Sequence, residues 1–319
     1  MCATTLKRFC PVSLGDWLKV CQAAGVPFVP AEQVSVIRRE DYLNWTDEGA
    51  VRERLMTAYS QISEAADDNY MMRYDCCSST EVKAALAHGK PEWSDDFCFL
   101  MIDDPRVYTI VEEYPREVVP IWKRPWIDAA KVAGYPVEYR AFVRDGAVVG
   151  VSNYYPQRQL PYNEAHLREV VRYAEVLAAA LTGTPFEWHS GMAFYNGRDE
   201  LDLSGVHFSA DFIVSVSEEV SFLEGGPPHE LGAHECCFNE DDIEGIALTD
   251  GEYYSRLEPE TFLALQETTQ CLVDAAMLAD EHVIRYGGAF SEALYNDQEM
   301  EAHRDESYED ILRAEGEID

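Results

Sequence analysis

Apolar and polar residues alternate most clearly between residues 207 and 229, where the pattern predicts a β-hairpin. In its first arm, FSADFIV, the first, third, fifth and seventh residues are all apolar, and VSFLEGG supplies the returning arm. If Ser217 and Glu218 form a two-residue loop, Asp211 in the first arm lies directly opposite Glu224 in the second.

Two carboxylates opposed in this way need a counterion. Opposed side chains in an antiparallel pair lie about 4.5–5.5 Å apart at Cβ, and like charges there destabilise the sheet. Mg²⁺ suits the position because it takes one or two carboxylates and completes its shell with water and nucleotide phosphates. Asp211 and Glu224 are therefore the predicted metal ligands. The alternative is that one carboxylate is solvated, because Ser-Glu is a poor two-residue turn and a one-residue slip would separate the faces.

A second hairpin is predicted at Val137–Val143 and Ala147–Asn153, because the Asp-Gly between these arms supplies the positive φ angles of a tight turn. Glu138, Arg140 and Phe142 share one face of its first arm, and the residues between them share the other. Arg140 is thus a candidate cation on a cleft face, with a solvent-facing salt bridge as the alternative.

Further strands and helices complete the pattern. Short strands are predicted at Val34–Ile37, Tyr70–Tyr74 and Val118–Trp122. Amphipathic helices, two of them preceded by the caps Ser13 and Asn163, are predicted at Leu14–Ala24, Glu48–Ala65, Asn163–Leu181 and Thr261–Leu278. A hairpin, a crossover helix and a second hairpin make an antiparallel α+β lobe.

Two segments carry candidate phosphate ligands. Arg73 projects from the strand Tyr70–Tyr74, and the turn after it precedes a helix starting near Glu81. Small residues and free N–H groups in such a turn can hold a phosphate or a sugar, so Asp75 and Ser78 join Arg73 as candidates. A core-flanking arginine paired with an acid is the alternative.

The strand Val118–Trp122 runs into Lys123-Arg124-Pro125-Trp126. This segment predicts a hinge with cations and an aromatic wall for a planar base. A tryptophan that bridges two lobes is a compatible alternative.

Composition narrows the function classes. The 319 residues carry a formal charge of −34, which argues against nonspecific binding to nucleic acid or to anionic membrane. A cytoplasmic protein is expected, because no apolar run reaches the length of a bilayer span and the N-terminus lacks a signal-peptide core. The nine cysteines, an odd number with adjacent pairs, indicate reduced thiols.

Two features near the C-terminus are assigned no catalytic role. A zinc site at His229, His234, Cys236 and Cys237 is disfavoured, because adjacent cysteines cannot readily point at one ion. Residues 291–319 are strongly acidic and predict an exposed helix or a disordered tail.

Four segments, in this order, resemble the ATP-grasp superfamily and within it the cell-division-cycle-type ATP-grasp proteins of eukaryotes with their bacterial and phage relatives. MRYDCCSS is similar to the strand and turn that carry a nucleotide-contacting basic residue, here Arg73. KRPWIDA with VEYRAFVRDGAVVGVSNYY resembles the hinge strand and the hairpin after it, matching Arg124, Trp126 and Arg140. FSADF and FLEGG resemble the two strands that carry the metal carboxylates. The resemblance spans about residues 70–238, roughly half of the chain.

The resemblance implies an ATP-grasp-like α+β fold in which two lobes with antiparallel sheets enclose a nucleotide cleft. ATP and Mg²⁺ are the implied cofactors, with adenine near the hinge and phosphates facing Arg73, Arg140 and the metal. Lys123, Arg124, Trp126, Asp75 and Ser78 are the other implied nucleotide contacts. Arg140 is the implied catalytic residue, since phosphoryl transfer relies on positioning and charge neutralisation.

The same resemblance implies an ATP-dependent carboxylate–amine ligase that acts through an acyl phosphate on a small-molecule or peptide substrate. The alternative is a non-catalytic ATP-binding assembly factor or chaperone for a basic protein partner, since the eukaryotic relatives assemble a translation initiation complex. A third hypothesis is an acidic interaction protein without nucleotide binding.

One departure from the family pattern concerns the metal site: the family's acid-x-Asn is Glu224-Gly225-Gly226 here. Water or another side chain such as His229 has to replace the missing Asn, or the metal site is degraded.

The predicted organisation has five parts. They are an N-terminal helical or α+β lobe (1–68), the ATP-grasp N-subdomain and hinge (69–127), the C-subdomain (128–255), a C-terminal helix (256–290) and the acidic tail (291–319).

Overall fold

The structure, a computed structural model, describes residues 6–44, 49–65, 69–78, 105–132, 135–154, 163–188 and 204–228. This part of the chain is α+β, as predicted, with two larger antiparallel sheets and a two-stranded ribbon. The predicted helices near Glu81 and at Thr261–Leu278, the disfavoured zinc site and the acidic tail lie outside the described residues. Within the described ranges, no helix combines the length and the apolar character needed to cross a membrane.

The first sheet has three strands in the order β1-β3-β2. Its elements, with the helices that pack with them, are β1 (Glu32–Arg38), α2 (Arg39–Leu43), α3 (Ala50–Ala65), β2 (Tyr70–Tyr74), α4 (Pro105–Glu113) and β3 (Val118–Pro125). Apolar residues of these strands and helices form one core, including Ile37, Ile62, Met72, Val111 and Ile121. Residues on both sides of position 68 therefore share one sheet and one core.

The second sheet has four strands in the order β7-β6-β8-β9. Its elements, with the helices on its apolar face, are α1 (Leu14–Ala24), β6 (Glu138–Arg144), β7 (Ala147–Asn153), α5 (Glu164–Leu181), β8 (Phe208–Val214) and β9 (Val220–Gly226), and the ribbon β4 (Lys131–Val132) with β5 (Tyr135–Pro136) precedes it. The predicted caps are present: the Ser13 hydroxyl accepts from the Asp16 N–H at 3.2 Å, and the Asn163 side chain from the His166 N–H at 3.2 Å.

One close packing contact fixes α1 against β9. A Cβ on Gly225 would lie 2.1 Å from Trp17 Cε2, so only glycine lets the indole lie flat against this strand. The same indole contacts the rings of Phe208 and Phe222 at centroid distances of 5.0 and 5.1 Å. The first helix of the chain thus belongs to the core of the four-stranded sheet.

The two hairpin turns were predicted with different success. Asp145 and Gly146, with φ of 48° and 78°, form the predicted tight turn. The predicted two-residue loop at Ser217 and Glu218 is wrong, because the Ser215 N–H donates to the Glu219 carbonyl at 3.0 Å and leaves three residues in the loop. A bulge in β9 between the partners of Asp211 and Phe212 offsets the extra loop residue. The predicted pairing of Asp211 with Glu224 is therefore correct despite the wrong loop.

Candidate functional site

A row of polar residues crosses the four-stranded sheet on the face away from the apolar core. Strand register places Arg140 between Ser152 and Asp211, and places Asp211 next to Glu224. Arg140 Nε donates to Asp211 Oδ1 at 2.7 Å and Nη2 donates to Oδ2 at 2.8 Å. The two side chains are 9% and 2% exposed. A guanidinium on the neighbouring strand thus provides the counterion that Asp211 requires.

The other carboxylate is neutralised from the opposite sheet. Arg73 on β2 donates through Nη1 to Glu224 Oε2 at 2.5 Å, and this ion pair joins the two sheets. Burial opposes the charge of Arg73, but Glu224 more than offsets that effect and raises the pKa of Arg73. Both predicted metal ligands therefore have arginine partners.

Arg124 on β3 is the third buried arginine and differs from the other two. Its Nη2 donates to the Val29 carbonyl at 3.2 Å and to the Leu223 carbonyl, while its Nε and Nη1 have no hydrogen-bond partner within the described structure. Burial, together with the nearby charge of Arg73, lowers its pKa to about 9. A buried charge with unmet donors is costly unless an anion meets it. The free edge of Arg124 is therefore suited to an anionic ligand.

Asp75, a predicted nucleotide contact, has a structural role. Its Oδ1 accepts from the Gly15 N–H at 2.9 Å and from Trp122 Nε1 at 2.7 Å, and its Oδ2 accepts from the Tyr114 hydroxyl at 2.6 Å. These donors come from α1, β3 and the end of α4. The buried carboxylate ties three elements together, and its role as a nucleotide contact stays a prediction.

Two of the remaining predicted contacts, Lys123 and Trp126, have other neighbours among the described residues. Lys123 alternates with Arg124 along β3, and its Nζ lies 4.3 Å from the centroid of the Tyr70 ring. Trp126 is partly buried against the apolar core of the three-stranded sheet rather than standing as a free aromatic wall. Ser78 is buried at the end of a described range. Of the predicted set, Arg73, Arg124, Arg140, Asp211 and Glu224 converge.

Comparisons with known proteins give a similarity of fold. No family model and no curated protein matches the sequence. Cdc123 from Schizosaccharomyces pombe is 12% identical with a TM-score of 0.44, over 74% of this chain and 91% of that one. D-cycloserine synthetase DcsG is 14% identical with a TM-score of 0.38, over 76% of this chain and 70% of that one. The D-alanine-D-alanine ligase from Coxiella burnetii is 13% identical with a TM-score of 0.36, over 84% of this chain and 62% of that one.

At these identities and TM-scores the similarity to solved structures carries no argument about this chain. The chemistry of the site therefore has to be argued from the residues of this chain.

Sequence reasoning missed Ser209, which lies two residues before Asp211 on the same face of β8. Its hydroxyl is buried without a partner in the described ranges, and a Cβ on Gly226 would lie 3.0 Å from it. It therefore lies opposite Gly226, at which the sequence resemblance implies an Asn. The strand alternation that selected Asp211 also selects Ser209, so the signal was present in the sequence.

The donor set suits a magnesium ion in type and in number. Mg²⁺ takes oxygen ligands and needs only one or two carboxylates when phosphates and water fill its shell. Within the described residues, no group of three or more His, Cys, Asp or Glu side chains is arranged to hold a metal. Asp211 and Glu224 are thus sufficient for a metal that arrives with phosphates and insufficient for an all-protein cage.

Proposed function

We propose that the chain binds ATP between its two sheets, with the phosphates at Arg73, Arg124 and Arg140. The observation that carries this proposal is the buried guanidinium of Arg124, whose Nε and Nη1 have no partner in the described structure. A planar guanidinium presents a pair of donors that matches phosphate oxygens. The hydrogen bonds of Arg140 and Arg73 to carboxylates bring two more guanidiniums to the same face.

Asp211 and Glu224 would hold Mg²⁺ with the nucleotide. The metal would neutralise charge on the phosphates, which is the part of phosphoryl transfer that protein side chains supply least well. The residues of the chain itself position the phosphates and exclude water, since Asp211 and the arginines are almost fully buried.

We propose further that the chain is a carboxylate–amine ligase. An oxygen of a small-molecule or peptide carboxylate attacks the γ-phosphorus of ATP and ADP leaves, which gives an acyl phosphate. The amine nitrogen then attacks the acyl carbon and inorganic phosphate leaves. No nucleophilic side chain is required, which agrees with the described cysteines: burial raises the pKa of the Cys10 thiol to about 12 and that of Cys76 well above its ordinary value.

The second candidate function is a non-catalytic ATP-binding assembly factor. The observation that favours it is the formal charge of −34, which suits a basic protein partner. This candidate retains the nucleotide and the arginine cluster, and it differs only in the absence of turnover.

The test is calorimetric titration of ATP with Mg²⁺ into the full chain and into Arg124→Met. Wild type should bind saturably, and the variant should bind about 10 to 100 times more weakly, because charge-assisted hydrogen bonds contribute about 1.5–3 kcal/mol. Arg172→Met is the matched control, since Arg172 lies exposed on α5 and pairs with Glu169. Absence of binding at millimolar ATP, or equal affinity in the Arg124 variant, contradicts the proposal.

Turnover separates the two functions. ADP release that depends on an added carboxylate and amine supports the ligase. Saturable ATP binding without ADP release across a panel of acids and amines supports the assembly factor.

A further inference from the structure

Six charged side chains of the described residues cluster between the two sheets. Three buried guanidiniums, of Arg73, Arg124 and Arg140, meet three carboxylates, of Glu138, Asp211 and Glu224, and all but Glu224 are almost fully buried. Glu138 shares a face of β6 with Arg140, and its charge acts on Arg124 in the direction that raises the pKa. If all six groups are ionised, their charges balance.

Because these charges balance, binding of a divalent cation alone or of a triphosphate alone is unfavourable. A bare divalent cation at Asp211 and Glu224 would face Arg73 and Arg140 at short range and leave two positive charges in excess. A bare triphosphate at the arginines would face the three carboxylates and leave an excess of negative charge. Because the groups are shielded from water, neither excess is screened as it would be at the surface. A complex of metal and triphosphate leaves a smaller excess than the bare triphosphate.

Building on the proposed function, we propose that Arg73 and Arg140 are exchangeable counterions that keep Mg²⁺ away from Glu224 and Asp211 until a polyphosphate enters. The arginines then transfer their hydrogen bonds to phosphate oxygens, and the carboxylates become available to the metal. Metal and nucleotide consequently bind tightly only together.

Two features of the cluster support this exchange. Arg140 occupies both oxygens of Asp211, so the metal competes directly with the guanidinium for that carboxylate. Arg124 already has two unmet donors within the described structure, which gives the incoming phosphates a first contact before either ion pair breaks. Because linkage is reciprocal, the factor by which nucleotide strengthens metal binding equals the factor by which metal strengthens nucleotide binding.

The first arm of the test uses Mn²⁺ alone, as a paramagnetic substitute for Mg²⁺, without nucleotide. Bound Mn²⁺ is measured by the loss of the electron paramagnetic resonance signal of the free ion. Wild type should bind Mn²⁺ no better than Asp211→Asn with Glu224→Gln, which lacks the carboxylates. Arg140→Met should bind it at least about tenfold more tightly than wild type, within the usual range of coupling between linked sites. Arg172→Met should behave as wild type.

The second arm measures the affinity of wild type for a non-hydrolysable ATP analogue with and without Mn²⁺. The metal should tighten binding at least about tenfold. Circular dichroism and urea unfolding verify that each variant is folded, and Arg73→Met, which releases Glu224, carries the same expectation if Arg140→Met does not fold.

Wild type that binds Mn²⁺ alone as tightly as Arg140→Met overturns the counterion proposal, whether or not ATP binds. Arginine variants that gain no Mn²⁺ binding overturn it as well. If the variants gain Mn²⁺ binding but wild type binds no nucleotide, the exclusion of metal by the arginines stands and the proposed ATP function falls.

Discussion

Two Arg–Asp pairs in this protein have the same hydrogen-bond geometry and different surroundings. Arg140 donates through Nε and Nη2 to both oxygens of Asp211, and Arg54 donates through Nε and Nη2 to both oxygens of Asp41. Both aspartates are buried, with Asp211 2% and Asp41 6% exposed, but the Arg140 side chain is 9% exposed whereas that of Arg54 is 46% exposed, and we call the Arg54–Asp41 pair the exposed pair for its arginine. Forked geometry alone therefore does not mark a ligand site. The Arg140–Asp211 pair differs because both of its side chains are buried and because it lies near Arg124, whose Nε and Nη1 have no partner in the described structure.

The difference predicts how each pair responds when it is broken. When Asp41 is removed, water replaces it as the partner of the half-exposed Arg54, so the loss of stability should be small. At the buried pair, the remaining ion keeps its desolvation cost and has no compensation.

The largest effect is expected from Asp211→Ala. The variant leaves Arg140 buried without its carboxylate, and it should lose about 3–5 kcal/mol of the free energy of unfolding. Urea unfolding at neutral pH measures this loss, with Asp41→Ala as the matched control at the exposed pair. Equal losses in the two variants would contradict the contrast.

The next largest effect on stability is expected when both charged residues of the buried pair are replaced by apolar residues. Arg140→Met with Asp211→Leu removes both charges together, so the double variant should be more stable than Asp211→Ala by about 1–3 kcal/mol. Urea unfolding of the single and double variants gives the coupling. A double variant as unstable as the sum of the single variants would show that packing, rather than charge, determines the loss.

Part of this contrast could be predicted from the sequence, and the rest could not. Alternation along single strands predicted that Asp211 lies opposite Glu224, which is confirmed, and that Arg140 shares a cleft face with Glu138, which stays a prediction. The partner of Arg140 could not be predicted, because β6 pairs with β8 across a long connection that local patterns do not specify. The sequence analysis therefore assigned a metal ion as the counterion of Asp211. In the structure Arg140, which the same analysis had placed on the cleft face, forms an ion pair with Asp211.

Asp75 shows the opposite limit. Its place in a turn after a strand predicted a ligand contact, but its three donors come from residues 60, 39 and 47 positions away in the chain. Hydrogen bonds over such separations depend on the packed fold. The sequence alone cannot distinguish a buried structural carboxylate from one that waits for a ligand.

A smaller effect on stability is expected from alanine substitutions at the adjacent glycines Gly225 and Gly226, which lie on opposite faces of β9. Gly225→Ala places a Cβ 2.1 Å from Trp17 Cε2, and overpacking of this kind should cost about 1–3 kcal/mol. Gly226→Ala places a Cβ 3.0 Å from the Ser209 hydroxyl, which can move, so it should cost less than about 1 kcal/mol. Thermal unfolding of both variants measures the difference. A larger loss for Gly226→Ala would show that the polar face is as tightly packed as the apolar one.

The smallest effect is expected at the exposed pair and depends on pH. The hydrogen bond from Arg54 lowers the pKa of Asp41, and burial only partly opposes this. Because the pKa in the folded state is depressed, the stabilisation is fully present above the pKa of an unfolded aspartate, about 3.9, and is lost as the pH falls through the folded value. The stability difference between wild type and Arg54→Ala should therefore be constant between neutral pH and pH 5 and should shrink below about pH 4. Urea unfolding over this range measures it, and a difference that stays constant on acidification would mean that Arg54 stabilises the fold through packing of its stem instead of through Asp41.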